Sequence, residues 1–302
     1  MSVLPEATAA ETVVTDGARR AGDAGRAFVR SPVFPGALAV SKGVVSLTLL
    51  SAALNPVLFA IGFLVAVTVY THNRLTDLGE DAVNRPDAAA MAARRKRLLG
   101  ALAGGSYVAA LGLAALGGLV AVAVVLLPGV AAAAYSEPWL PVTGYDRLKE
   151  VPVVNTVVTA GAWALPLGYL PVAFAGTAAG LAPALVATFL FLRTAGASEV
   201  LNARDVDGDR EAGVVTVPIA LGVARTRHVL YAVDAAAALT LTVGVAAGAL
   251  PTAVALGLLP GLAYSVLLTR RLGRTDPDVL AVAKDGEYGV FAAGALAAGL
   301  FL

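Results

Sequence analysis

An all-α polytopic membrane protein with nine transmembrane helices is the fold class this sequence predicts, and three observations carry the prediction. The 302-residue chain is 58% hydrophobic and 14% charged, with a mean hydropathy of +0.78, far more apolar than a soluble domain of that length. Its apolar residues gather in runs of about 20, enough to cross a bilayer core of roughly 30 Å as helix. Its charged residues collect in alternate connections between those runs. There is no cysteine, which excludes disulfides, thiolate nucleophiles and soft-metal sites, and His72 and His228 are too few for a zinc site. Any metal is expected to be a hard, oxygen-bound one. The net charge of +1 is uninformative as a sum, and no nucleic-acid partner is expected.

Residues 1–31 are polar and Ala-rich, carry Arg19, Arg20, Arg26 and Arg30, and lack the apolar core of a cleavable signal peptide. They read as a cytoplasmic tail before a single domain, 32–302. The apolar runs lie near 34–53, 54–73, 98–116, 117–135, 152–172, 177–199, 228–248, 250–270 and 284–302. Basic residues fill the connections after the second, fourth, sixth and eighth runs: Arg94, Arg95, Lys96 and Arg97; Arg147 and Lys149; Arg204, Arg210, Arg225 and Arg227; Arg270, Arg271 and Arg274. The intervening links near Ala53, Gly117, Ala173 and Leu250 carry no charge. The positive-inside rule then puts the amino terminus in the cytoplasm and the carboxyl terminus outside, as an odd number of spans requires. The expected location is the cell membrane, with the long loops cytoplasmic. Short links such as Gly117-Gly118 force antiparallel hairpins, and the many Gly and Ala residues permit close helix contact.

Two acidic stretches stand out at the ends of the second and sixth runs, a weak internal duplication. In Thr71–Pro86, Asn73, Asp77 and Asp81 recur at i, i+4 and i+8, so on a helix they drift by only about 40° per step and form one oxygen-bearing stripe. In Asn202–Gly213, Asn202, Asp205 and Asp209 fall at i, i+3 and i+7, again on one face, while Asp207 points about 140° away as a solvated charge. Carboxylates at the edge of hydrocarbon are costly and usually face a cavity or water. Either motif alone is as easily a hydrated interfacial loop; the two at equivalent points of two halves are harder to attribute to accident. Magnesium is typically held by one or two carboxylates plus phosphate oxygens, so two such faces suit a metal-bridged diphosphate.

Asn73-x3-Asp77-x3-Asp81, followed by Asn84 and Pro86, resembles the first motif of the UbiA superfamily of intramembrane prenyltransferases. Asn202-x2-Asp205-x3-Asp209, with Gly213, Thr216, Pro218 and Gly222 downstream, is similar to the second. Tyr135-Ser136 and Arg147-Leu148-Lys149 before Val151-Pro152 are similar to the family's loop between its fourth and fifth helices. The resemblance covers roughly 34–302 and agrees with the family's nine-helix bundle. Where many members have Asn-Asp, this chain has Asn73-Arg74, which places Arg74 either on a diphosphate or among headgroups; the family's closing Arg-Pro pair is replaced by Ala88-Ala89.

The resemblance implies Mg2+-dependent prenyl transfer from a polyprenyl diphosphate to a lipophilic acceptor among membrane lipids. It assigns Asp77, Asp81, Asp205 and Asp209 to metal and catalysis, Asn73 and Asn202 to metal or diphosphate orientation, and Arg147 and Lys149 to the diphosphate. Arg147 and Lys149 read equally well as topology charges. Lys42, Arg193 and Asp234 fall inside apolar runs, where an ionisable group is a functional candidate if it faces the interior. Lys42 and Arg193 are candidate substrate contacts in the lower cavity, with Asp234 as a pairing partner or a base; a buried pair or a snorkelling chain explains all three as well. His72 reads as packing, and Tyr135, Tyr145, Trp139 and Trp163 as interface anchors. A cation-coupled transporter or a catalytically silent isoprenoid-lipid binder are the other classes this charge pattern admits.

Overall fold

The computed structural model describes residues 25, 27–29, 31–84, 86–136, 147–151 and 153–300, and among these there are helices and no strand. Most of the tail 1–31, with Arg19, Arg20, Arg26 and Arg30, lies outside the described residues, as do Trp139, Tyr145 and Pro152.

Helix α1 (Val33–Leu49) leads into α2 (Pro56–Thr76), whose start is written in the sequence. The Asn55 side chain accepts the Val57 N–H at 2.9 Å, and Pro56 takes a first-turn position where its missing N–H costs nothing. Two short helices, α3 (Leu78–Asn84) and α4 (Pro86–Arg94), precede the hairpin of α5 (Lys96–Ala114) and α6 (Gly118–Ser136). Gly118 turns that hairpin at φ 84°, a conformation that favours glycine. The chain continues through α7 (Val154–Ala175), α8 (Leu181–Arg204), α9 (Val206–Glu211), α10 (Val217–Ala246), α11 (Thr252–Gly257), α12 (Leu259–Arg271) and α13 (Pro277–Gly299). Asp276 caps α13 by accepting the Asp278 and Val279 N–H groups at 2.9 and 3.1 Å.

Among the described residues, six segments are long and apolar enough to cross a bilayer: Pro56–Thr76, Lys96–Ser136, Val154–Ala175, Leu181–Arg204, Val217–Ala246 and Thr252–Arg271. The Lys96–Ser136 segment is the α5–α6 hairpin, and Val33–Leu49 is a shorter apolar helix. Two helix starts differ most from those expected. α10 begins at Val217 rather than near 228, so Arg225 and Arg227 lie on the helix rather than in a loop, and α13 begins at Pro277 rather than near 284. Hydropathy marks only the lipid-facing part of a helix, whereas Pro218, Pro277 and the Asp276 cap mark where the backbone starts to coil.

Neighbouring helices form a ring: α1 packs on α2, α2 on α5 and α6, α6 on α7, α7 on α8, α8 on α10, α10 on α12, and α12 on α13, which closes on α1. One apolar cluster joins Val45, Phe189, Leu241, Val254, Leu258 and Phe291 across the later helices, with Phe189 and Phe291 edge to face at 5.6 Å. Another joins Ile61, Val65, Ala110, Val125 and Leu170 across α2, α5, α6 and α7. Small residues set the closest approach: a Cβ on Gly294 of α13 would lie 2.0 Å from the Gly257 carbonyl oxygen of α11, so only glycine lets those backbones touch.

Candidate active site

Both acidic motifs break their helix at an aspartate. The stripe of Asn73, Asp77 and Asp81 was expected on one unbroken helix; instead α2 ends at Thr76, with Asp77 at φ −98°, ψ 21° before α3 starts. The spacing nevertheless survives, because Asp77 N–H still reaches the Asn73 carbonyl at 2.9 Å and Asp81 N–H the Asp77 carbonyl at 2.8 Å. α8 ends in the same way, with Asp205 at φ −95°, ψ 14° and Asp209 N–H on the Asp205 carbonyl at 3.0 Å. Both aspartates occupy the sparsely populated bridge region, and the shared break gives the duplication a structural counterpart. α3 packs against α9, so the two motif ends meet. Gly213 then turns the chain at φ 73° and Gly222 breaks α10 at φ 76°.

Basic side chains thread between the acids. Lys149, 3% exposed on the turn Leu148–Glu150, donates from Nζ to Asp77 Oδ1 and to both Glu80 oxygens, each at 2.7 Å. Arg147 lies 3.3 Å from Glu80 and 2.6 Å from Glu150. Arg204 grips Asp205 through two hydrogen bonds of 2.8 and 2.7 Å, a fork geometry that fixes the carboxylate plane. Asp81 is buried. Asp207 points outward with its side chain 88% exposed, 3.5 Å from Arg210, as its helical position required. Tyr135, in the last turn of α6, lies within electrostatic reach of Asp77, Asp209 and Glu80.

Burial pushes the Asp209 carboxyl up to about 7, with repulsion from Asp205 and Glu80 adding to it and Lys149 and Arg204 opposing. The folded protein therefore holds a proton there that the unfolded chain has lost. The sign follows: Asp209 contributes stability below the ordinary carboxylate range, and that contribution is lost as pH rises through about 7. Thermal melts of the ligand-free protein are expected to fall from pH 5 to pH 8 more steeply for the wild type than for Asp209→Asn.

The remaining candidates sit around this core. Asn73 Oδ1 is buried with no hydrogen-bond partner, while Asn202 donates its Nδ2 to Glu199 at 3.1 Å. Arg74 folds back on its own helix, donating to the Tyr70 hydroxyl at 2.8 Å and stacking on that ring. His72 packs inside with Nε2 unpartnered. Deeper, Lys42 stands 4.3 Å from the Tyr288 ring centroid and 5.1 Å from that of Trp163, with a 3.5 Å hydrogen bond to Thr194. Trp163 stands beside that cation and lines an apolar cavity. The cavity lies between α1, α2, α6 and α7, walled by Gly43, Phe59, Gly62, Val125, Leu167 and their neighbours.

Arg193, expected as a substrate contact, is spent elsewhere. Its guanidinium reaches Glu287 at 2.9 and 2.6 Å, Asp234 at 2.6 Å and Ser265 at 2.6 Å. Lys284 completes the network through Ser265 at 2.6 Å and a short contact with Glu287. Pairing with Asp234, one of the options the sequence left open, is what the structure has.

Four site residues escaped the sequence reading. Glu80 falls seven residues after Asn73 and so on nearly the same helical face, a signal that was available. Arg204 adjoins Asp205, yet its grip depends on the helix break. Glu199 precedes Asn202 by one turn inside an apolar run. Glu287 lies in a run whose start was placed at its charged end.

No three His, Asp or Glu side chains among the described residues are gathered as a ready-made metal cage. A magnesium ion does not need one when a phosphate supplies the other oxygens, and the unpartnered Asn73 carbonyl is an acceptor of the required kind.

A sequence model of the UbiA prenyltransferase family matches residues 29–286. No curated protein sequence matches the chain significantly. Among solved structures, the fold is similar to a UbiA homolog from Aeropyrum pernix K1 in its apo state, with a TM-score of 0.68 at 18% identity over 88% of this chain and 97% of that one. It is also similar to a UbiA homolog from Archaeoglobus fulgidus bound to DMAPP and Mg2+, with a TM-score of 0.64 at 16% identity over 91% and 99% of the two chains. A structure of digeranylgeranylglyceryl phosphate synthase follows at a TM-score of 0.61 and 10% identity over 91% and 98%.

Proposed function

The chain belongs to the UbiA prenyltransferase family, and from that premise we propose that it transfers a prenyl group from an isoprenoid diphosphate to a lipophilic acceptor within the membrane, with Mg2+. The observation that carries the reading is the meeting of two acid-bearing helix ends, Asp77 and Glu80 beside Asp205 and Asp209, with Lys149, Arg147 and Arg204 among them. That juxtaposition of oxygens and cations suits a metal-bound polyanion. The A. fulgidus homolog has been solved with DMAPP and with GPP, each with Mg2+.

In this reading Asp77, Asp81, Asp205 and Asp209 hold the metal, directly or through water, with the carbonyls of Asn73 and Asn202 as further oxygens. Bound Mg2+ supplies positive charge against the negative charge that grows on the departing diphosphate. Lys149 and Arg147 supply the rest, their donors passing from Asp77 and Glu80 to phosphate oxygens, and Arg74 lies one residue from Asn73 to assist. The allylic C–O bond breaks with its electron pair leaving on the diphosphate, a new bond forms to the acceptor, and the acceptor loses a proton. The apolar cavity receives the prenyl tail and excludes the water that would quench an allylic cation. It lies deep enough for this: Val65 on its wall is eight residues from Asn73, roughly 12 Å along α2. Lys42, at the cavity flank, faces the acceptor, and Arg193 braces the helices behind it.

Nine spans follow when α5 and α6 count separately and α1 and α13 are included. Both motifs then open to the cytoplasm, the charge-free links face outward, and the carboxyl terminus is outside.

The test is Mg2+-dependent release of diphosphate from geranyl diphosphate or longer homologues by the purified protein, with mass spectrometry of membrane lipids for a species heavier by one prenyl unit. Release with a prenylated lipid is expected. Binding without release would identify a silent binder, and neither would end the proposal.

A further inference from the structure

We propose that Glu199 is a positioning residue that fixes the Asn202 side chain with its carbonyl oxygen committed to a divalent cation; the inference rests on the prenyl-transfer reading above. Glu199 lies on α8 one turn before Asn202 and is 4% exposed. Its Oε1 accepts the hydroxyl of Thr156 on α7, and its Oε2 accepts Asn202 Nδ2 at 3.1 Å. Burying a carboxylate here is costly and is offset only by donors such as these.

The chemistry of the pair then dictates an orientation. An asparagine amide can present either its NH2 or its oxygen to a neighbour, but an ionised carboxylate only accepts. Glu199 therefore selects the NH2 end and leaves Oδ1 for the other side. Among the described residues the hydrogen bond of Asn202 runs through its Nδ2 and none reaches that oxygen, while Asn73, which precedes Asp77 in the first motif, has an Oδ1 that is buried and unpartnered. Asp205 is already held by Arg204, so the Asn202 carbonyl is an uncommitted oxygen of the second motif. Two such carbonyls, on helix ends whose short extensions α3 and α9 pack together, are what a hard cation takes up.

The experiment measures Mn2+ binding to the full-length purified protein by electron paramagnetic resonance, in the presence of a phosphonate analogue of geranyl diphosphate. Glu199→Gln, whose amide can donate as well as accept, is expected to weaken Mn2+ binding by about tenfold, the usual cost of disturbing a ligand's supporting hydrogen bond. Adding Asn202→Asp to Glu199→Gln is expected to restore it, because either oxygen of an aspartate accepts whichever way it turns. A brace between α7 and α8 with no bearing on the cation would lower the melting temperature without that rescue. Wild-type affinity in Glu199→Gln, or a loss that Asn202→Asp does not repair, overturns the inference. If Glu199→Gln does not fold, Thr156→Val, which frees one Glu199 oxygen and keeps the charge, must weaken Mn2+ binding, and unchanged affinity there overturns it equally. Asp77→Ala separates the two claims. Binding lost in Asp77→Ala but intact in the Glu199 variant leaves prenyl transfer standing and removes the inference alone; no Mn2+ bound by the wild type removes both.

Discussion

Asp77→Ala and Asp205→Ala are each expected to lower Mg2+-dependent diphosphate release by about 10³-fold, the scale seen when one preorganised charge-stabilising group is lost. Both proteins are expected to stay folded, for reasons visible in their partners. Without Asp77, Lys149 keeps both oxygens of Glu80, so its buried ammonium is not stranded. Without Asp205, Arg204 still has Asp278 at 4.0 Å, and its partly exposed side chain can take up water. The control is Asp207→Ala, two residues from Asp205 but turned outward and highly exposed, where release is expected to change less than about twofold. Diphosphate release measured beside the thermal melt decides the matter. Turnover near the wild-type rate in both variants would detach the acidic ends from the reaction.

The fold was legible because the sequence states it in bulk. Long apolar runs and charge-free links each name a helix by a local rule, whereas the Asp276-Pro277 start of α13 lies ahead of its apolar run, where hydropathy does not mark it. The paired acids were legible for the same reason, since helical spacing survives the break at Asp77 and Asp205. What the sequence hid is which charge answers which. Lys149 is 72 residues from Asp77, and Arg193 is 94 from Glu287. Spacing along one helix says nothing about partners on another, and an arginine in an apolar run reads alike whether it meets substrate or a carboxylate. Trp163 and Tyr135 show the same limit: an interfacial preference is an average, and it does not say that Trp163 stands beside the Lys42 ammonium or Tyr135 near Asp77 and Asp209.

The second large effect is expected at Glu287, far from the acids. Arg193 lies eleven residues before Arg204, so the network is roughly 16 Å below the motif along α8. There Arg193, Lys284, Asp234, Glu287 and Ser265 are all buried, two cations balanced by two anions and tying α8, α10, α12 and α13 together. Glu287→Ala takes from Lys284 its paired carboxylate and leaves Arg193 paired with Asp234 alone, and it is expected to cost about 3–5 kcal/mol, the scale for breaking a buried ion pair on one side. Removing charge in matched amounts should hurt far less. Lys284→Met with Glu287→Leu takes away one cation and one anion while Arg193 keeps Asp234, and it is expected to recover most of the loss. Melts of the three proteins in one detergent test this. A Glu287→Ala protein as stable as the wild type would mean that these groups do not balance one another as charges. The same melts bear on catalysis, because Thr194 and Tyr288, which hold Lys42, directly follow Arg193 and Glu287 in the chain. A network that loosens α8 against α13 moves both partners of Lys42 at once, so Glu287→Ala should impair use of the acceptor even where diphosphate release persists.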